Sequence, residues 1–273
     1  MGSLRICAKR NFTLFKLSIK KEAIYKSALV VGSLTQFTWA ILNIAGYYGI
    51  YKLNANEFPM NFQSLINYMW MQQALMYLFS LWNWDNDLLS SIKTGDIVYL
   101  LTKPIDPYNY WFSHIFMSRI AKSIFRAIPI ITLACLLPNF MQFKFISGGS
   151  VLLFLFSILL ALIIVVSMEV MIYSVVLYII DDRAIRIIFS STCQLLNGSI
   201  IPLQFFPKTI YSVVVWLPFS LTQDISFRIL NGDFTKIEMF ERLGYQLIMC
   251  IVLVFLGKLF LKKIIYKIEL QGG

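Results

Sequence analysis

SVLLFLFSILLALIIVVSMEVMIYSVVLYII, residues 150–180, is the longest apolar run in the chain. A helix rises about 1.5 Å per residue, so about 20 residues cross about 30 Å of hydrocarbon. The run exceeds that length, and it can tilt or rest its ends in the interface. A chain built around such a stretch belongs in lipid. One residue breaks the pattern, Glu169, which sits well inside the run. A charged carboxyl at mid-bilayer costs about 2.5–3.5 kcal/mol on insertion scales, so it must face protein, be protonated or meet a cation. Glu169 is a functional candidate on that ground, with a structural hydrogen bond as the plainer reading.

Composition agrees. Apolar residues make up 58% of the 273 and charged residues 14%, against about 25% charged in soluble domains. Mean hydropathy is +0.71. The net charge of +10 would suggest nucleic acid in a soluble protein. Here the basic residues flank apolar spans, so membrane topology explains them and no nucleic-acid partner is implied. Cys7, Cys135, Cys193 and Cys250 form no C-x-x-C and no zinc spacing, so no metal is expected.

Outward from 150–180, further spans are expected at about 27–51, 62–84, 114–138, 187–206 and 240–261, giving an all-α integral membrane protein with six transmembrane helices in a single domain. Residues 1–26 precede them. Leu4, Ala8, Phe12, Phe15, Ile19 and Ala23 share one helix face amid basic residues, which predicts an amphipathic helix lying in the headgroup plane. The stretch is too long and too charged for the start of a secretory signal.

Polar residues on the spans mark faces turned toward protein or water. Gln36 and Asn43 share a face of the first span, and Gln72 lies on the second. Ser190, Gln194 and Asn197 line one face of the fifth. These positions and Glu169 are candidates for a translocation path, with helix–helix hydrogen bonding as the alternative. Arg119, Lys122 and Arg126 make a basic stripe on the third span at inner headgroup level. They either snorkel to lipid phosphate or form an inner basic vestibule for an anionic headgroup or substrate.

The loop 85–113 contains TGDIVYLLTKPIDPYNYW at 94–111. Gly95, Pro104 and Pro107 punctuate a short apolar run, so a compact helix or turn forms and stops twice before the chain re-enters the membrane. A small amphipathic element on a membrane protein suits docking on a soluble partner. An ordinary connecting loop is the alternative. IPLQFFPKTIYSVVVWLPF at 201–219 has prolines around an apolar run too short to cross, and reads as a broken or re-entrant segment. Of the 24 Lys and Arg, eighteen fall on the side that holds both termini and loop 85–113, and six on the other. That places the termini and the loop in the cytoplasm.

No G-x-x-x-x-G-K-[ST] is present, so the chain has no P-loop for ATP. Its one histidine, His114, has no nucleophile at depth beside it, and catalysis is unsupported.

Together, the basic amphipathic start, the inner G-D-I-x-Y-x-L-x-K-P-I-D-P from Gly95 to Pro107 and the outer I-P-L-x-F-F-P from Ile201 to Pro207 resemble the membrane subunits of type-2 ABC transporters. The closest resemblance is to a bacterial exporter branch in which two related permeases often work with one ATPase. It covers essentially the whole chain. It implies a non-enzymatic half-transporter in the bacterial cell membrane, paired with itself or a sister permease. It implies an elbow helix at 4–23 and outer re-entrant helices in the segment 207–228. It also implies a coupling helix within 91–101 (Ser91, Ile92, Thr94, Gly95, Asp96, Ile97, Tyr99, Leu100) seated in a separate ATP-binding subunit, itself a homodimer, which would hold ATP and magnesium. The rival readings are an ion-coupled secondary transporter centred on Glu169 and a non-transporting scaffold or immunity subunit.

Overall fold

A computed structural model describes residues 2–24, 26–53, 55–97, 99, 102, 105–144, 148–179 and 182–267. Leu100, Pro104 and Asp181 therefore lie outside the described residues. Among those described, every regular element is a helix.

The apolar run centred on 150–180 forms α7 (Gly148–Tyr178), and the rest is arranged about it. Ala161, Ile164, Val165, Val166, Val170 and Tyr173 are fully buried. One side stays exposed toward its N-terminal half, with Leu152 at 75% and Leu155 at 54%. The last helix, α11 (Lys236–Ile265), packs along α7, as does the shorter α10 (Asp224–Asn231). α6 (Pro107–Leu136) lies against α7 on another side and carries the first helix, α1 (Gly2–Ile24), on its outer face. α2 (Lys26–Leu53) packs on α3 (Phe62–Ala74) and α6.

Two helices, Ser27–Leu53 and Val151–Tyr178, are long and apolar enough to cross a membrane by length and composition. The others depart from that standard for visible reasons. α6 carries Arg119, Lys122 and Arg126, and α11 has charged ends. The stretch 62–84 is two helices: α3 breaks at Leu75, and α4 (Met76–Phe79) ends at Ser80. Residues 187–206 are also not one helix. α8 (Arg183–Leu196) is followed by Asn197 and by Gly198 at φ 83°, a conformation that glycine adopts without a Cβ penalty and that ends helices.

Local chemistry sets the helix starts. Asn61 accepts from the Gln63 amide at the head of α3. Thr235 and Glu238 form a reciprocal capping box at the head of α11. Asp106 accepts from the Asn109 amide, and Pro107 occupies the first turn of α6. Pro107 thus starts a helix instead of stopping one, because its fixed φ and missing N–H suit the first position.

The segment after residue 206 is short helices and turns: α9 (Lys208–Val214), then a turn-rich stretch to α10. Ser220, Leu221, Thr222 and Gln223 are buried. Side chains here pair with carbonyls of the same region. The Ser220 hydroxyl donates to Val215 and Leu217 carbonyls, Thr222 to the Phe219 carbonyl, and Gln246 of α11 to the Leu221 carbonyl at 2.8 Å. Buried irregular backbone needs such partners.

Candidate functional site

The segment joining α4 to α6 holds α5 (Asn86–Lys93). Asp85 caps it, accepting from the Asp87 and Leu88 amides at 3.0 and 3.2 Å. Asp87 in the first turn and Lys93 in the last complement the helix dipole. Leu89 and Ile92 point inward, and Ile97 just beyond the helix is also buried. Thr94, Gly95 and Asp96 form the exposed end, with Gly95 at φ 80° and the Thr94 hydroxyl 2.6 Å from Asp96. Tyr99 is 71% exposed. The residues expected to couple therefore divide. Ile92 and Ile97 anchor the segment, Ser91 is half-buried with its hydroxyl on the Leu88 carbonyl, and Thr94, Gly95, Asp96 and Tyr99 face outward.

Three ties hold α5 to the rest. Lys21 of α1 meets Asp87 at 2.6 Å. Lys93 meets Asp182, in the turn before α8, at 2.8 Å, and Arg186 meets the same carboxylate at 2.7 Å. The Asp85 amide donates to the Tyr173 hydroxyl at 2.7 Å, and that hydroxyl donates to Glu169 at 3.2 Å. The first pair is exposed and worth little by itself. The last tie enters the core.

Glu169 is met there by Arg119. The guanidinium donates to Oε2 at 2.8 Å through Nε, and a second nitrogen stands 2.7 Å from the same oxygen. Its remaining nitrogen donates to the Tyr77 and Leu78 carbonyls at 3.2 and 3.1 Å. Those are orphan carbonyls at the end of α4, where a cation also suits the dipole. Arg119 thus pays off two debts at once, a buried acid and a broken helix.

The basic stripe does not stand free. Arg119 is committed to Glu169. Arg126 pairs with Glu22 of α1 at 3.3 Å and lies over the Tyr77 ring at 3.8 Å. Lys122 is half-buried between them; its carbonyl accepts from Arg126 at 3.4 Å, and its ammonium forms no hydrogen bond or ion pair among the described residues. It borders a cleft with α1 and residues 83–87.

The polar residues of the spans fall into separate groups. Gln72 donates to the Ser199 carbonyl, whose amide donates to Asn197 at 2.9 Å. Ser190 donates to the Leu81 carbonyl at 2.9 Å. Gln36 is buried on α2 with its carbonyl oxygen unpaired, while Asn43 and Gln194 are half-buried.

Sequence reasoning missed a polar cluster between α3 and α10. Tyr68 of α3 donates to the Gly198 carbonyl at 3.2 Å and faces Asp224 at 3.4 Å. Asn67 donates to Asn231, which donates back to the Ser64 carbonyl, and Ser64 donates to Asp233. The sequence shows there only a polar stretch, Asn231-Gly232-Asp233. It makes a turn, with Gly232 at φ 71°, and its flanking side chains also pin α10 to α3.

Among the described residues the chain is wholly helical, with two helices long and apolar enough to cross a membrane, a buried ion pair and a capped helix on a connecting segment. Residues 37–272 match the family described as ABC-2 family transporter protein. The chain belongs to that family, and it is a membrane permease of an ABC transporter. No curated protein and no solved structure matches it.

Proposed function

We propose that the chain is half of the translocation path of an ATP-driven exporter and receives its driving force at α5. The observation that carries this reading is the construction of α5: a capped helix with an anchored side and an exposed end. It is tied to α1 and to the turn before α8, and through Asp85, Tyr173 and Glu169 to the core. An ATP-binding subunit that moves the exposed end would move three elements together. Members of this family generally work with such a subunit. ATP and magnesium belong there, since the chain has no P-loop.

In this reading the chain crosses six times. The basic-residue count supports cytoplasmic termini and a cytoplasmic α5, with α9 and α10 as outer re-entrant helices in a bacterial cell membrane. A second permease copy or a sister permease completes the path along the polar faces of α2, α3 and α8. The ion-coupled alternative needs Glu169 to exchange an ion, but Arg119 already neutralises it at 2.7 Å.

The test is transport by Gly95→Glu and Glu169→Gln variants in membranes also holding the ATP-binding subunit. The Gly95 variant is expected to reach the membrane and lose nucleotide-dependent export. Normal export by it, or export without any ATPase that Glu169→Gln abolishes, would overturn the proposal.

A further inference from the structure

The cleft beside Lys122 has a volume of about 350 Å³ and opens between α1, residues 83–87 and α6. Its charges come from Lys21, Glu22, Asp85, Asp87 and Lys122, with His114 at the side. Their pairing is uneven. Glu22 engages Arg126 through Oε2 only, and Asp87 engages Lys21 through Oδ2 only, which leaves each carboxylate a second oxygen. The Lys122 ammonium has no hydrogen-bond or ion-pair partner among the described residues. The cleft thus offers an anion a cation, and offers a cation carboxylate oxygens. Leu14 and Leu17 of α1 supply an apolar border.

We infer that this cleft seats the phosphoethanolamine headgroup of a phospholipid, with the phosphate on Lys122 and the ammonium among Glu22 and Asp87. The charge balance selects that headgroup. Three lining carboxylates (Glu22, Asp85, Asp87) are balanced by Lys21 and Lys122 of the lining and by Arg126, which pairs with Glu22 from outside it, so the site has no surplus for a net-negative lipid. A zwitterion leaves the balance unchanged. Choline's methyl groups block hydrogen bonding to the carboxylates, whereas a primary ammonium donates three hydrogens. The apolar border receives the start of the acyl chains. The lipid would brace α1 against α6 and α5, where Lys21 and Asp87 already meet.

The inference needs the membrane reading but not the coupling role of α5. Lipid preference and binding of the ATP-binding subunit are therefore measured separately, and either can fail alone. The purified permease complex is exchanged into nanodiscs of equal phosphatidylethanolamine, phosphatidylcholine and phosphatidylglycerol, and retained lipid is read by native mass spectrometry. Phosphatidylethanolamine is expected to dominate. Lys122→Ala is expected to cut its retention about tenfold, the loss of one charge-assisted hydrogen bond, while Lys263→Ala at the far end of α11 retains it. Retention of phosphatidylglycerol equal to that of phosphatidylethanolamine, or unchanged preference in Lys122→Ala, would overturn the assignment. Thermal stabilisation by soluble phosphoethanolamine equal to that by the lipid would also overturn the lipid as occupant.

Discussion

Arg119 and Glu169 are fifty residues apart, and each raised its own question in the sequence: an acid in lipid and a base on a stripe. Each answers the other in the structure. Removing one partner of a buried pair leaves an uncompensated charge, which costs about 3–5 kcal/mol, while replacing both with apolar side chains is often close to neutral. Arg119→Met and Glu169→Met are each expected to lower the thermal midpoint of the purified protein, and the double variant to recover much of the loss. Additive losses would contradict the pairing. Gly198 makes a second residue-scale test. It holds φ 83°, and a Cβ there would clash with the Tyr68 hydroxyl. Gly198→Ala is expected to destabilise by at least the roughly 1–2 kcal/mol of a left-handed non-glycine residue. Tyr68→Phe in the same background should relieve only the clash, so a full rescue would contradict the backbone part. At Asp182 burial pulls the carboxyl upward, but the Lys93 and Arg186 cations outweigh it and hold it below the usual carboxylate range. A lowered folded value means stabilisation is complete above the unfolded pKa of about 3.9 and fades as pH falls through the folded value. Asp182→Asn is expected to be less stable than the natural protein near neutrality, with the gap closing in acid. A constant gap from neutral to strongly acidic pH would contradict the linkage.

Among elements, the long uniform ones were legible and the broken ones were not. Apolar length alone marked the stretches that became α2 and α7, because a helix needs no special residue to continue through lipid. The stretch 62–84 looked equally continuous, since Leu75 gives no sign of the break there. The stop after α8 was written in the sequence as Asn197-Gly198 but passed over because Ile200 and Ile201 continue the apolar run. Pro107 reads as a stop in a run that ends at it, but Asp106 before it caps a new helix in which proline suits the first turn. The ties of α5 depend on residues distant in sequence, and no local pattern announces them. The prediction at this scale concerns α5. Lys93→Ala and Lys21→Ala together should loosen it from its neighbours. Faster backbone hydrogen exchange is expected across residues 86–93, with α7 unchanged. Unchanged exchange in α5 would show that its buried leucine and isoleucine and the Asp85–Tyr173 bond hold it without the two lysines.

For the whole molecule, large apolar side chains remain exposed along α2 and α11, among them Val31, Leu34, Trp39, Ile251 and Phe255. In a membrane protein such faces meet lipid or another helix. Composition announced the membrane, and the paired Gly–Pro motifs announced the family. Neither conveyed which of the polar faces are spent on internal hydrogen bonds, because that depends on how α3, α7 and α8 pack. The whole account turns on where the exposed end of α5 points and what it touches. The direct measurement is photo-crosslinking from position 99, with a photoreactive residue in place of Tyr99, in intact cells that also make the ATP-binding subunit. The predicted result is a covalent adduct with that subunit and no labelling of a cysteine at position 99 by a membrane-impermeant reagent added outside. Labelling from outside, with no adduct, would contradict it.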